Sequence, residues 1–537
     1  MGKRKNGFVA AVLLIAVLII ATRGIGLTYN MEIHPDENKF YWSTDSLLQS
    51  LLNPEAEFKE AKEYPEGAYL FQLPFQALGM GLAVLTGGTR DLQLWGRISS
   101  VFYFTLAVGI GMLILYRYLG KSKTGAVLFG LTMCFSLFFI EHSKYGVGDM
   151  ISVFLLMLII FLSATACTAP EKRRYLLLAF AASGAMGAVK YPQIVFALIP
   201  LSVLFMNRHI LEKKERNRLV LLCFGVTFVT FLLFSPKAMF DWKYFYRVIR
   251  RESDAYVLSG TAFEAGGLLN HIATMAVYSL FYSDFPLALL LLAAVFFRNL
   301  PVKNAQFRKE VSDEARMQQL LLSYVVPAVG LFFFGYNLLP TLLIFRTYTP
   351  YFAIAALYAS CEAARLLKKG GWQKWAVGAL TVFMVLRGSG LIGLTSAPGT
   401  IREEFARQVY GATDESWSRT LMMGQYIIPF EDSGLVAPEK VTLSQLADSN
   451  GAAMELEPGT LLITGAYPYA FGSGYILPME TADAATISLW QSFVQTNGEY
   501  LVYQAYPDYV YYLYGGWLRG GTLSTSMIPC NYVFYRP

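Results

Sequence analysis

The chain has 537 residues, of which 55% are hydrophobic and only 15% charged, with a net charge of +6 and a mean hydropathy of +0.42. A soluble domain carries about 25% charged residues, so this composition excludes an ordinary cytosolic enzyme, a disordered chain and a disulfide-stapled secreted domain. Five cysteines without CxxC or Cys/His zinc spacing indicate neither a disulfide frame nor a zinc module, and the small positive charge reads as basic cytoplasmic loops, not a nucleic-acid footprint.

A spanning helix needs about 20 apolar residues. The first such run, 8–27, follows Lys3-Arg4-Lys5 and shows no small-residue cleavage site, so it reads as an anchor. A polar, acid-rich loop follows over 28–68. The apolar stretch 69–87 contains Pro74 and several glycines. If it spanned, Arg117, Lys121 and Lys123 would fall outside, so the positive-inside rule lays it along the interface. Helices are expected near 94–117, 124–141, 149–167, 174–190, 192–206, 219–236, 284–298, 319–338, 350–366 and 375–393. With the first anchor these make about eleven spans, joined on one side by basic loops. The 284–298 helix is short, and the apolar stretch 264–282 reads as interfacial.

This parity puts the N-terminus in the cytoplasm and the C-terminal part outside a plasma membrane crossed many times. The expected architecture is an all-α polytopic membrane domain, 1–395, whose outer loop 28–93 carries an acidic motif, followed by a small α/β extracytoplasmic domain, 396–537. In that domain 400–411 reads as helix, and 459–464, 499–503 and 531–535 read as strands rich in β-branched and aromatic residues.

The topology gathers ionisable residues near the outer boundary. His34-Pro35-Asp36-Glu37 follows the first anchor, and Asp149 opens a span. Lys190-Tyr191 closes another, and Arg346 and Tyr348 precede a late one. Charges at membrane depth cost several kcal/mol, so they have a partner or a task. Each also has a purely structural reading. Pro35 suits a first helical position with Asp36 and Glu37 favoured by the helix dipole, Asp149 suits an N-cap, Lys190 could snorkel, and Arg346 could anchor a loop carboxylate. A divalent cation held by His34 and His142 beside Asp36 and Glu37 stays open as an alternative. The loop 237–270 breaks the charge rule with Lys237, Lys243, Arg247, Arg250 and Arg251. These pair with Glu252, Asp254 or Glu264, or they bind an anionic headgroup or phosphate. No GxxxxGK[ST] loop, strand-linked GxGxxG, kinase set or GxSxG nucleophile occurs.

In this order and on this side of the membrane, the residues resemble the polyprenyl-phosphate-sugar glycosyltransferases of the C type, which include protein O-mannosyltransferases and aminoarabinose transferases of lipid A. The matching segments are Asp36-Glu37, Tyr64-Pro65-Glu66-Gly67, Gly96-Arg97-Ile98-Ser99, Ser143 to Asp149, Lys190-Tyr191 and Arg346-Thr347-Tyr348-Thr349-Pro350. The resemblance covers about residues 1–395; the C-terminal part matches only loosely, and the extra luminal repeats of the O-mannosyl type are not seen. It implies a donor sugar on a polyprenyl monophosphate, presented at the outer leaflet, and an acceptor hydroxyl that needs a base. Asp36 is the expected base, Asp149 a second carboxylate that orients the acceptor or stabilises charge on the sugar ring, and Glu37 a support for the loop or for an ion. Lys190, Arg346, Arg247, Arg250, Lys59 and Lys62 are candidates for the departing lipid phosphate. Tyr191, Tyr348 and His34 are candidate substrate contacts. Direct displacement would invert the anomeric centre. No cofactor is expected with certainty, and the partners are the lipid-linked donor, an unidentified glycan, lipid or protein acceptor, and membrane lipids. The competing readings are a polymerase or ligase using pyrophosphate-linked glycans, a transporter or flippase of lipid-linked sugars, which predicts inverted repeats and midplane carboxylates, and a non-catalytic scaffold.

Overall fold

The computed structural model describes residues 2–27, 37–53, 55–56, 65–168, 173–206, 212–258, 349–396, 417–423, 439–449, 451–464, 484–505 and 531–537. The apolar runs fold as helices because a bilayer offers backbone N–H and C=O groups no partner outside their own segment. In chain order they are α1 (Gly2–Gly24), α2 (Glu37–Leu52), α3 (Gly67–Thr86), α4 (Leu92–Arg117), α5 (Lys123–Phe135), α6 (Leu137–His142), α7 (Asp149–Thr168) and α8 (Arg173–Val189). A 3-10 turn, Tyr191–Ala197, leads into α9 (Leu198–Met206), α10 (Lys213–Phe234), α11 (Pro236–Phe240) and α12 (Trp242–Leu258), and then come α13 (Thr349–Lys369) and α14 (Gly371–Ser396). Among the described residues six helices are long and apolar enough to cross a membrane: Asn6–Gly24, Gly67–Thr86, Leu92–Arg117, Asp149–Thr168, Lys213–Phe234 and Gly371–Gly393.

Local chemistry sets the boundaries. The Asp91 carboxylate caps α4 by accepting from the Leu94 N–H at 2.9 Å. The continuous helix expected over 124–141 is divided, because Ser136 is extended and its hydroxyl accepts from Phe139 N–H to start α6. The helix expected over 192–206 begins as a 3-10 turn, because Lys190 is extended and Pro192 stands at its start without an N–H. The helices expected near 284–298 and 319–338, and the stretch 264–282, lie outside the described residues.

Helices α1 and α4 run antiparallel: Phe8 stacks on Tyr116 at 3.9 Å at one end, and Leu27 meets Arg97 at the other. The first end also carries the basic α4–α5, α7–α8 and α13–α14 connections, with exposed Arg117, Lys121, Arg173, Arg174 and Lys368. Fully buried Phe104, Phe129, Phe138, Phe139, Met157 and Phe180 fill the core between the ends. Leu13 and Leu14 of α1, Leu221 and Phe228 of α10 and Trp372 of α14 remain exposed, as a bilayer-covered surface requires.

Helix α3 stays at the second end for at least its first half. Glu66, which precedes it, accepts from the Lys237 N–H at the start of α11, Gln72 donates to the Gly146 carbonyl at 2.8 Å, and Gln76 donates to Leu92 O at 2.8 Å, at the start of α4. Helix α3 is one of the six long enough and apolar enough to cross, whereas the sequence laid 69–87 along the interface.

The C-terminal part is a small α/β unit. Strands β1 (Arg419–Met423), β2 (Glu439–Val441), β3 (Thr460–Thr464), β4 (Leu501–Ala505) and β5 (Asn531–Arg536) form one sheet in the order β2-β1-β3-β5-β4. β1 is parallel to β2 and β3, and β5 is antiparallel to β3 and β4. Helix α15 (Ala484–Thr496) packs Trp490 and Phe493 against Phe534. The strands expected at 459–464, 499–503 and 531–535 correspond to β3, β4 and β5, whereas β1, β2 and α15 have no forerunner in the sequence reading. The helix expected at 400–411 lies outside the described residues.

Candidate active site

One end of the membrane domain collects the ends of α1 and α8 and the starts of α2, α3, α4 and α7. The first residue of α2, Glu37, is fully buried. Its carboxylate accepts two parallel hydrogen bonds from Arg97, Nε at 2.9 Å and Nη2 at 2.8 Å, and a third from the Gly146 N–H at 2.6 Å. Arg97 Nη1 donates to Leu27 O at 2.8 Å. The bidentate geometry is the strong form of the pair. It ties the end of α1 and the starts of α2 and α4 to the connection between α6 and α7. Gly146 is required there: a Cβ at this position would lie 2.9 Å from the Gly96 carbonyl carbon. Gly67 plays the same part at the start of α3, where a Cβ would lie 2.7 Å from the Ala188 carbonyl.

The second cluster is Asp149 with Lys190. Asp149 is the first residue of α7 and Lys190 the residue after α8. An anion is favoured at a helix N-terminus and a cation at a C-terminus, so the α7–α8 pair presents the two charges side by side. They form an ion pair in which Asp149 is buried and Lys190 keeps 24% of its side-chain surface. Tyr191 follows, its ring 5.2 Å from Phe245 of α12 and within electrostatic range of Tyr69, which also faces Glu66 and Tyr244.

One charged side chain here, Arg23, has no part in the sequence reading, and Lys144, Glu66 and Lys237 enter it only as members of matching segments or of the basic loop. Arg23, fully buried in α1, donates to Ser143 Oγ at 2.9 Å and to Cys134 O at 2.5 Å. Lys144, in the α6–α7 connection, donates to Thr395 O at 3.2 Å and Oγ1 at 3.0 Å, near the end of α14. Burial, with Arg23 and Arg97 nearby, pulls the Lys144 ammonium down to about 7. Glu66 accepts from the Lys237 backbone N–H at 2.9 Å, and burial raises its carboxyl above the usual range while the bonds from Lys237 and Ser235 oppose the shift. Burial lowers Lys237, with Asp241 opposing, and its ammonium lies 4.5 Å from the Tyr244 ring centroid. The only sequence signal of Arg23 is an ionisable residue set among apolar ones near a helix end.

The structure thus brings Glu37, Asp149, Lys190 and Tyr191 to one end of the bundle. It surrounds Glu37 with Arg97 and Gly146 as a structural tie. Arg247 and Arg250 are exposed on α12. At about 100° per residue they lie about 160° and 140° around the helix from Phe245, the residue that meets Tyr191. They lie off the side of α12 that meets Tyr191. His34, Asp36, Lys59, Lys62, Arg346 and Tyr348 lie outside the described residues. His142 stacks on Phe138, and its Nδ1 is 3.0 Å from Phe138 O. Among the described residues no three His, Cys, Asp or Glu side chains converge as a metal site.

Residues 95–240 match the family model of dolichyl-phosphate-mannose-protein mannosyltransferases. That segment includes Arg97, Asp149 and Lys190. Solved structures similar at low identity include the following two. ArnT from Cupriavidus metallidurans, bound to undecaprenyl phosphate, is 16% identical over 72% of this chain and 64% of its own, with a TM-score of 0.45. The archaeal oligosaccharyltransferase AglB from Archaeoglobus fulgidus, in complex with an inhibitory peptide and a dolichol-phosphate, is 10% identical over 77% of this chain and 58% of its own, with a TM-score of 0.48. The chain therefore spans less than two thirds of either protein. No curated protein sequence matches it.

Proposed function

We propose that the chain is a membrane glycosyltransferase that moves a sugar from a polyprenyl-phosphate donor to an acceptor hydroxyl. The observation that carries this reading is the convergence at one end of the bundle: the family-matched segment supplies Arg97, Asp149 and Lys190 to the end where Glu37 begins α2. The opposite end carries the basic connections, which by the positive-inside rule supports a site at the non-cytoplasmic face.

Asp36 takes the proton of the acceptor hydroxyl as its oxygen bonds to the anomeric carbon. The bond from that carbon to the phosphate oxygen breaks, and the electron pair leaves with polyprenyl phosphate. One displacement inverts the anomeric centre. The departing phosphate needs positive charge, not a proton, and Lys190 supplies it at the rim of the site. Asp149 holds Lys190 and orients the acceptor side. Glu37 serves through its pairing with Arg97, which fixes the backbone at the start of α2. Tyr191 lines the same rim. Lys59, Lys62, Arg346, Tyr348 and His34 remain donor or acceptor contacts of this proposal by resemblance.

The test supplies the purified protein in detergent with labelled sugars on polyprenyl monophosphate and a membrane extract as acceptor. Release of polyprenyl phosphate from one donor supports transfer and names the sugar. Consumption of pyrophosphate-linked glycans alone would replace this reading by a polymerase or ligase.

A further inference from the structure

We propose that α11 and α12 lie in the membrane interface and form a docking surface for the anionic headgroups of bulk phospholipids in the leaflet at the candidate site. The inference stands independently of the transfer reading.

The segment is continuous with the bilayer-facing surface. Helix α10 exposes Phe228 and Leu233, ends at Phe234, and α11 begins two residues later. The chain therefore leaves α10 at the membrane boundary. It leaves large apolar side chains uncovered there: Met239 and Phe240 in α11, and Trp242, Tyr246 and Ile249 in α12. Phe240 is 79% exposed and Trp242 62%.

Helical spacing sorts α12 into three stripes. Phe245 faces the protein, meeting Tyr191 at 5.2 Å and Phe231 at 6.1 Å. Trp242, Tyr246 and Ile249 form an adjoining exposed apolar stripe. Lys243, Arg247 and Arg250, all exposed, form a basic stripe about 80–140° around the helix from Trp242. Tyr244 closes the basic side, with Lys237 Nζ 4.5 Å and Arg247 Cζ 6.0 Å from its ring centroid.

A helix with exposed aromatics on one stripe and bases beside it lies in the headgroup region, its rings at the acyl boundary and its cations at phosphate level. Basic residues on this face run against the positive-inside rule, and bulk headgroup phosphates account for them by charge complementarity. The apolar stripe argues against a soluble anion as the main occupant, because it would stay in water.

The full chain carrying Ile249→Cys, labelled with an environment-sensitive fluorophore and corrected for labelling of the parent protein, is placed in nanodiscs. Quenching by brominated phosphatidylglycerol is compared with quenching by brominated phosphatidylcholine. The expected result is quenching by both, with phosphatidylglycerol preferred by at least about fivefold, the contribution of one basic residue near an anionic surface. The neutral triple variant Lys243→Gln, Arg247→Gln, Arg250→Gln should lose that preference and keep the quenching, which also shows that α12 is still seated. The control pair Lys214→Gln, Arg218→Gln, at the far end of α10, should leave the preference intact. Absence of quenching by either lipid overturns the interfacial placement. Equal quenching in the parent, or abolition of the preference by inorganic phosphate, overturns the headgroup surface.

Discussion

Replacing Glu37 by alanine tests whether this carboxylate is structural or chemical. Glu37 and Arg97 both have fully buried side chains. Alanine removes the paired carboxylate from the Arg97 guanidinium and the acceptor from the Gly146 N–H. Breaking one side of a buried pair costs about 3–5 kcal/mol, and the abandoned N–H adds about 1–3 kcal/mol. At about 2 °C per kcal/mol for a large domain, the first contribution alone lowers the melting temperature by about 6–10 °C. The double variant Glu37→Leu, Arg97→Leu removes both charges, and by the same reasoning recovers most of the loss, since apolar replacement of a buried pair is often neutral. The assay is thermal unfolding of purified protein in one detergent, followed by tryptophan fluorescence and gel filtration. A Glu37→Ala protein as stable as the parent refutes the structural assignment. A stable, donor-binding Glu37→Ala protein without turnover would move Glu37 into the chemistry.

The remaining predictions concern neighbouring groups. Lys144→Met removes an amine held at about 7 in the fold against a usual 10.5. Between those values the unfolded chain binds more protons, so stability of the parent rises with pH across the window, and below it the fold carries the full cost of the charge. Melting curves at about pH 6 and about pH 10 should show the variant's relative advantage shrinking as pH rises; a pH-independent difference contradicts this. Lys190→Met should weaken donor binding roughly 30-fold or more, the loss of one charged contact of about 2 kcal/mol, measured by competition with labelled polyprenyl phosphate; unchanged binding excludes Lys190 from the donor site. Gly146→Ala forces a Cβ within 2.9 Å of the Gly96 backbone and should cost about 1–3 kcal/mol of overpacking. A melting temperature equal to the parent's would show that the two connections separate freely.

The sequence and the fold agree where local signals suffice. The apolar run opening at Asp149 is α7, and the run closing before Lys190 is α8, because twenty apolar residues in lipid have no alternative to a helix. Strands β3 and β5 were legible from their β-branched and aromatic content. The pairing of Asp149 with Lys190 was not, since a cap, a snorkelling amine and an ion pair share one sequence signature. Glu37 stands 60 positions from Arg97, and nothing local in either segment names the other. The break at Ser136 was hidden because a serine within an apolar run looks tolerable until its hydroxyl caps the next turn. Arg247 and Arg250 were legible as an anomaly of charge, but their direction depends on which side of α12 meets Tyr191.

The most direct test of the central claim compares the parent with Asp36→Asn. Both are purified in detergent, and both must bind polyprenyl phosphate and elute as folded protein. Each receives the donor that the parent consumes, with the membrane extract as acceptor, and released polyprenyl phosphate is counted against time. The account predicts that the parent turns over and Asp36→Asn falls by about a hundredfold or more, the usual worth of a general base. Equal turnover by the two proteins would contradict it and leave Asp36 a structural residue.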